Sequence, residues 1–130
     1  MGYYMDQSET YFTIKKENKD KALDLLKQFA AEHTGEYWSY PACVLETHTL
    51  GEAFEECGWE VMEDDDGNIK HIRFVYEKAG DEYNIFSAVA PAVENGSFIE
   101  MHGEDTTIWR WVFKDGKCKE EYPKIIWDYD

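Results

Sequence analysis

A helical pattern of apolar residues runs from residue 19 to residue 33. Apolar side chains recur there at intervals of three and four, which places them on one face of a helix. They are Ala22, Leu25, Leu26, Phe29 and Ala30. Asn18 precedes the pattern as a cap, and Thr34-Gly35 follows it as a stop signal. The pattern predicts an amphipathic helix over residues 19–33.

Two shorter helices are predicted from local signals. Thr49 and Glu52 have the spacing of a capping box, which predicts a short helix that Gly58 closes. Residues 82–90 predict a helix that ends before Pro91, with a buried strand as the alternative.

Alternating apolar and polar residues predict strands elsewhere. The first lies at residues 10–15. Residues 59–63 and 69–78 predict the two arms of a hairpin, because Asp66-Gly67 between them is a common tight-turn signal. The segment 36–47 predicts irregular structure with a short strand at 42–45.

The most regular strand pattern predicts an antiparallel meander at residues 97–103, 106–114 and 117–127. Its central strand alternates between two sets of side chains: Trp109, Trp111 and Phe113 on one side, and Ile108, Arg110 and Val112 on the other. Because both sets are largely apolar, we expect this strand to be covered on both faces. We likewise expect Trp127, at the end of the last strand, to pack in the sheet.

Together these elements predict an α+β fold in a single domain over residues 1–130. Its sheet is mainly antiparallel, includes the C-terminal three-stranded meander, and has two to three helices packed on it. With 43% hydrophobic and 16% aromatic residues, the chain has enough apolar material for a core.

The sequence also limits compartment and cofactors. No apolar run approaches the roughly 18 residues that a membrane helix needs. The N-terminal residues have neither the basic region nor the apolar core of a secretion signal. We therefore expect a cytoplasmic protein without membrane contact. Cys43, Cys57 and Cys118 lack zinc-site spacing and predict reduced thiols, so we expect no metal and no cofactor.

The net charge of the chain and the distribution of its acids favour some classes of function over others. The chain has 28 Asp and Glu against 13 Lys and Arg, which gives a formal net charge of −15 at pH 7. Because affinity for phosphates comes from clustered Lys and Arg, this balance argues against direct nucleic-acid binding. The acids are also segregated, since no Lys or Arg occurs between Lys27 and Lys70. This base-free interval predicts an acidic face centred on residues 46–66.

Such a face either serves solubility or is retained because a basic partner relieves its self-repulsion. The leading hypothesis is a non-enzymatic protein that docks on a basic surface of a partner protein. In its narrower form, the protein mimics a nucleic acid and inhibits a nucleic-acid-binding enzyme. The oligomeric state stays open. The predicted partner-binding residues are the acids of the face and one tryptophan of an aromatic segment: Glu46, Glu52, Glu55, Glu56, Glu60, Glu63, Asp64, Asp65, Asp66 and Trp38.

Two alternatives compete with this hypothesis. The first is a small enzyme or ligand-binding domain with a pocket between the meander and the helix at 19–33, around His102, Glu100, Arg110 and Trp111. The chain has no nucleophile elbow, glycine-rich phosphate loop or Ser/His/Asp order, so an enzyme is less favoured and no catalytic residue is assigned. The second is a housekeeping domain whose acidity serves solubility alone.

One part of the chain is similar to known sequences. It comprises Ala90-Pro91-Ala92-Val93-Glu94-Asn95-Gly96-Ser97-Phe98-Ile99-Glu100, then Gly103-Glu104-Asp105 and Trp109-Arg110-Trp111-Val112-Phe113. These segments resemble a group of small uncharacterised proteins of bacteria and their phages with no established activity. The resemblance implies a bacterial cytoplasmic or mobile-element protein and carries over no functional residue. Small acidic phage proteins are often inhibitors of host defence nucleases, including anti-restriction and anti-CRISPR proteins, which favours the mimic form of the hypothesis.

Overall fold

Two antiparallel sheets, one of four strands in the order β1-β4-β5-β6 and one of β2 and β3, form the framework of the described chain. The computed structural model describes residues 4–32, 41–76 and 82–128. Its elements are, in chain order, β1 (Met5–Tyr11), α1 (Lys19–Glu32), α2 (Pro41–Leu45), α3 (Leu50–Glu56), β2 (Trp59–Glu63), β3 (Ile69–Phe74), α4 (Glu82–Val89), β4 (Phe98–Gly103), β5 (Ile108–Lys114) and β6 (Lys117–Glu121). Short 3-10 turns at Lys16–Asn18 and Ala90–Ala92 precede α1 and follow α4. The predicted α+β class is confirmed.

Local signals place α3 correctly. The Thr49 Oγ1 accepts the backbone N–H of Glu52 at 3.2 Å, and the Glu52 carboxylate accepts the N–H of Thr49 at 3.1 Å. Gly58 follows the helix with a φ of +92°, a conformation that favours glycine. Helices α1 and α4 also begin where their patterns predict, while the stop signal Thr34-Gly35 lies outside the described residues.

The core lies between the larger sheet and the helices, and aromatic rings form its centre. Phe12 meets Phe113 edge-on with ring centroids 5.5 Å apart, and Phe86 of α4 lies 5.3 Å from Trp111. Trp59 of β2 lies 5.1 Å from Phe86, so the smaller sheet shares the same core. Burial of each such side chain contributes about 1.5–3 kcal/mol, which makes this cluster a principal source of stability.

The first strand lies earlier than predicted. Instead of residues 10–15, the ladder comprises Met5–Tyr11 and pairs with β4. Residues 12–14 are all buried, and Ile14 pairs with Ile69 in an isolated bridge. Most side chains of β1 are polar and at least partly exposed, so the strand has no apolar alternation and its position is set by the partner strand.

Other elements also differ from the prediction. Strand β3 ends at Phe74, whereas the predicted hairpin arm runs to residue 78, and residues 77–78 lie outside the described part of the chain. Pro41–Leu45 is helix α2 rather than a strand at 42–45, since proline suits the first turn of a helix and α2 packs on α1. Strand β6 ends at Glu121 and not at residue 127, because Pro123 has no N–H with which to extend the ladder. The expectation that Trp127 packs in the sheet is wrong: its side chain is 75% exposed.

Within the described ranges, helices cover the larger sheet on one face only. Trp109, Trp111 and Phe113 of β5 point into the core, whereas Ile108 and Arg110 on the opposite face are exposed. The predicted two-sided cover of this strand is therefore wrong. Helices α1, α3 and α4 all bury their apolar residues in the core, and no described helix covers the other face.

Candidate interaction surfaces

Helices α2 and α3 surround a shallow depression of about 350 Å³ that carboxylates line. Helix α3 buries Leu50, Ala53 and Phe54, which turns its polar residues toward solvent. The carboxylates at the depression are Glu46, Glu52, Glu55 and Glu56, and we call this set the α2–α3 acidic surface. No Lys or Arg of the described residues lines it.

No base of the described residues balances the negative charge on this surface. Glu52 accepts the backbone N–H of His48 at 2.9 Å, and this bond, followed by the one from Thr49, holds the pKa of the Glu52 carboxyl below its usual value. The other three carboxylates form no salt bridge with any Lys or Arg that the structure describes. Among the described residues, no base therefore pairs with Glu46, Glu55 or Glu56, which leaves these side chains open to a cation from a partner.

Two acids of the β2–β3 hairpin are neutralised by bases from outside the base-free interval. Arg73 of β3 contacts Glu60 at 3.0 Å, and Lys19 of α1 contacts Glu63 at 2.7 Å. Lys19 Nζ also donates to the Gly67 carbonyl at 3.1 Å, which ties the hairpin to α1. These contacts reduce the charge that the hairpin offers to a partner.

Asp64 has a structural role inside the hairpin turn. It accepts the backbone N–H groups of Asp66 and Asn68, each at 3.0 Å. Partial burial opposes its ionisation, but the side-chain amide of Asn68 and these N–H groups hold the pKa of Asp64 below its ordinary value. Asp65 and Asp66 are exposed, whereas Trp38 lies outside the described residues. The predicted acids therefore divide into the α2–α3 acidic surface and a hairpin group, and some members of the hairpin group already bind other residues of the chain.

The uncovered face of the larger sheet, which we call the open sheet face, carries a second cluster. The strand register arranges its side chains in rows across β1, β4, β5 and β6. One row is largely apolar and two are mixed: Tyr11, Phe98, Val112 and Lys119; Glu100, Arg110 and Glu121; Asp6, His102 and Ile108.

Glu100 is the centre of the polar contacts on the open sheet face. Arg110 Nε donates to Glu100 Oε1 at 2.8 Å, and the Ser8 hydroxyl donates to Oε2. His102 Nε2 lies 3.6 Å from the same carboxylate, and the Arg110 guanidinium lies 4.6 Å from the centroid of the Phe98 ring. The Ser8 hydroxyl, and then Arg110, hold the pKa of Glu100 below its usual value. Both oxygens of Glu100 are engaged, which indicates a structural role for this carboxylate.

The pocket of the alternative hypothesis does not form as predicted. Glu100, His102 and Arg110 share the open sheet face, which is directed away from α1. Trp111 lies on the opposite face, is 3% exposed, and donates from Nε1 to Glu120 at 3.1 Å. A depression of about 300 Å³ does lie on the open sheet face, lined by Glu100, Ile108, Trp109, Arg110, Glu121, Tyr122 and Pro123.

Sequence reasoning misses the contribution of β1 to this face. A bulge between Gln7 and Thr10 brings Ser8 to Glu100, and Glu9 lies 4.0 Å from Arg110. The register between β1 and β4 determines these contacts, and no local pattern in the sequence shows it.

The chain matches no family model, and it has no detectable similarity to a curated protein or to a solved structure. None of the described helices is long and apolar enough to cross a membrane. Within the described ranges, no group of three or more His, Cys, Asp or Glu side chains is arranged to hold a metal ion.

Proposed function

We propose that this chain is a non-enzymatic binding protein whose α2–α3 acidic surface docks on a basic surface of a partner protein. The observation that carries the proposal is the convergence of Glu46, Glu52, Glu55 and Glu56 on one depression, without a Lys or Arg of the described residues to balance them. In its narrower form, the partner surface is the groove in which an enzyme holds the backbone of a nucleic acid.

The physical basis is electrostatic. Like charges held together raise the free energy of the free protein, and a cationic partner lowers it again on binding. Long-range attraction to a chain of net charge −15 also accelerates the encounter, mainly at low ionic strength. Glu60 and Glu63 contribute less, since Arg73 and Lys19 already pair with them. Asp65 and Asp66 are exposed and remain predicted partner-binding residues on the hairpin turn.

A charge-reversal experiment tests the proposal. The double variant Glu55→Lys/Glu56→Lys and the control Asp24→Lys/Glu104→Lys change the net charge equally, and all four side chains are exposed. When the chain is attached to a resin, we expect its native form to retain the partner protein at low salt and to release this protein as the salt concentration rises. The surface variant loses this protein, while the control retains it. Equal retention by both variants, or retention that salt does not weaken, contradicts the proposal.

Competition with DNA tests the narrower form. If the partner groove normally holds a nucleic-acid backbone, the native chain displaces a fluorescent DNA duplex from the retained protein, and the Glu55→Lys/Glu56→Lys variant does not. Simultaneous binding of the duplex and the chain excludes the mimic and leaves the docking surface in place.

A further inference from the structure

The segment that follows β6 is an exposed apolar arm. Its side chains Ile125, Ile126 and Trp127 are 87%, 84% and 75% exposed. We call residues 122–127 the arm. Large apolar side chains that are adjacent and this exposed are typical of a segment that is buried against another surface, since Trp in particular is enriched at the centres of interfaces.

The open sheet face presents apolar side chains that such a segment could cover. It presents a row in which Tyr11, Phe98 and Val112 lie side by side, and Ile108 lies two rows away. Tyr11 and Ile108 are exposed in the single chain, and Phe98 and Val112 are half-buried. An extended apolar segment laid across these strands covers surface that the described helices of the same chain leave open.

Charge also matches between the two. The arm carries one cation, Lys124, and no carboxylate. Among the described residues, the open sheet face carries the carboxylates Asp6, Glu9, Glu100 and Glu121 against the cations Arg110 and Lys119, so its acids outnumber its bases. Lys124 therefore meets opposite charge when the apolar residues beside it reach this face.

We propose that the arm of one copy docks on the open sheet face of a second copy, so that two copies exchange arms. Within one chain, Tyr122 and Pro123 line the depression beside Arg110, but the rest of the arm stays in solvent and away from its own face. A reciprocal exchange uses each face and each arm once and closes as a two-fold dimer.

The mass of the intact chain in solution, measured by light scattering over a concentration series, tests this proposal. We expect a monomer–dimer equilibrium in the native chain and a monomer in Ile126→Glu and in Trp127→Glu. The matched control Val75→Glu places the same charge on another exposed apolar side chain and keeps the dimer. A native chain that is monomeric throughout, or a dimer that the arm variants preserve, overturns the proposal.

A mixture of one variant with a defective arm and one with a defective face tests which surfaces are in contact in the dimer. Ile126→Glu has a defective arm, and Val112→Glu has a defective face, so each is monomeric alone. Their mixture forms a heterodimer through one intact arm and one intact face, whereas a mixture of Ile126→Glu with Trp127→Glu does not. If Val112→Glu folds, failure of the first mixture to form a heterodimer overturns arm-to-face docking. If Val112→Glu does not fold, the masses of the two arm variants measured alone still test the proposal.

The dependence on salt distinguishes dimerisation through the arm from binding of a partner at the α2–α3 acidic surface. Between about 0.1 M and about 1 M salt, screening weakens the repulsion between two chains that both carry excess negative charge, so the dimer fraction rises. Binding of a basic partner changes in the opposite direction. A dimer that dissociates with rising salt contradicts an interface dominated by the apolar arm, whatever the outcome of the charge-reversal experiment.

Discussion

Gln7 binds the backbone of Phe74 as a neighbouring strand would: its side-chain Oε1 accepts the Phe74 N–H at 2.6 Å. The Nε2 group of the same amide donates to the Ile72 carbonyl at 2.7 Å. With the backbone bridge between Ile14 and Ile69, these bonds join β1 to β3 although the two sheets share no continuous ladder. One glutamine side chain thus connects the hairpin to the larger sheet.

Replacement of this glutamine tests that connection. Gln7→Ala leaves the Phe74 N–H and the Ile72 carbonyl without these partners, and we expect a loss of about 1–3 kcal/mol in the free energy of unfolding. Thr10→Val removes the contact between the Thr10 hydroxyl and the Gln7 amide and a long bond from the same hydroxyl to the Ser8 carbonyl at 3.4 Å, but it keeps both bonds from Gln7 to β3, so it is expected to cost less. Urea denaturation of the two variants measures both values. Equal stability of Gln7→Ala and the native chain contradicts a bridging role.

The capping box predicts a second stability effect. Thr49→Ala removes the acceptor for the Glu52 N–H, and loss of such a cap typically costs about 0.5–2 kcal/mol. Thr49→Ser retains the hydroxyl and serves as the matched control. Thermal unfolding followed by circular dichroism is the measurement, and an alanine variant as stable as the serine variant would show that the cap is dispensable.

Gly58 is expected to be the more sensitive of two glycines with nearly the same backbone conformation. Gly58 and Gly96 have φ values of +92° and +90°. A Cβ at Gly58 lies 2.7 Å from the Tyr76 ring, while a Cβ at Gly96 meets nothing within 4 Å. Gly96→Ala therefore carries only the backbone cost of about 1–2 kcal/mol, and Gly58→Ala adds a clash. Addition of Tyr76→Ala should recover part of the Gly58→Ala loss, and no recovery refutes the clash.

Glu100 gives a pH dependence of defined sign. Because Ser8 and Arg110 hold the pKa of its folded-state carboxyl below the ordinary value of 4.5, Glu100 stabilises the fold above that pH and loses this contribution as pH falls. We expect Glu100→Gln to be less stable than the native chain at neutral pH and the difference to shrink between about pH 5 and about pH 3. Denaturation of both proteins across this range is the measurement. A difference that grows toward acid pH has the wrong sign.

Thiol reactivity distinguishes the three cysteines. Burial raises the pKa of Cys57 to about 12, with the charges of Glu82 and Glu56 as further causes. Burial and Glu120 raise the pKa of Cys118 to about 12 as well. Cys43 is exposed. A thiol reagent at neutral pH should label Cys43 in the folded chain and all three cysteines after unfolding, as seen by mass spectrometry. Rapid labelling of Cys57 or Cys118 in the native protein contradicts this assignment.

Local signals in the sequence predict those elements whose pattern is complete within a few residues. Helix α1 has an apolar face, α3 has a capping box and a closing glycine, and the hairpin has a turn dipeptide. β1 has none of these, because most of its side chains face solvent or bridge to another strand, and only pairing with β4 defines it. The end of β6 is likewise set by Pro123, and a prediction from the apolar pattern alone therefore continues the strand too far.

The candidate site shows the same division between local and distant information. The base-free interval predicts which acids lack basic neighbours in sequence, and for Glu46, Glu55 and Glu56 the fold supplies none among the described residues. It cannot predict that Lys19 and Arg73 reach the hairpin, because those contacts depend on how α1 and β3 pack. The sequence pattern also does not predict the open sheet face. Ile108 and Val112 are apolar and therefore indicate a covered face, although no described helix covers them.

The pairing of Tyr11 with Phe98 also determines when the binding surfaces can exist. Helices α2 and α3 lie in the long loop that this strand pair closes, and their apolar residues belong to a core that needs both ends of the chain. Closing so distant a contact is entropically costly and makes folding slow relative to a helical protein of the same length. A nascent chain or a proteolytic fragment that lacks β4 therefore has the acidic sequence without the assembled surface, and it should not compete with the complete protein for a partner.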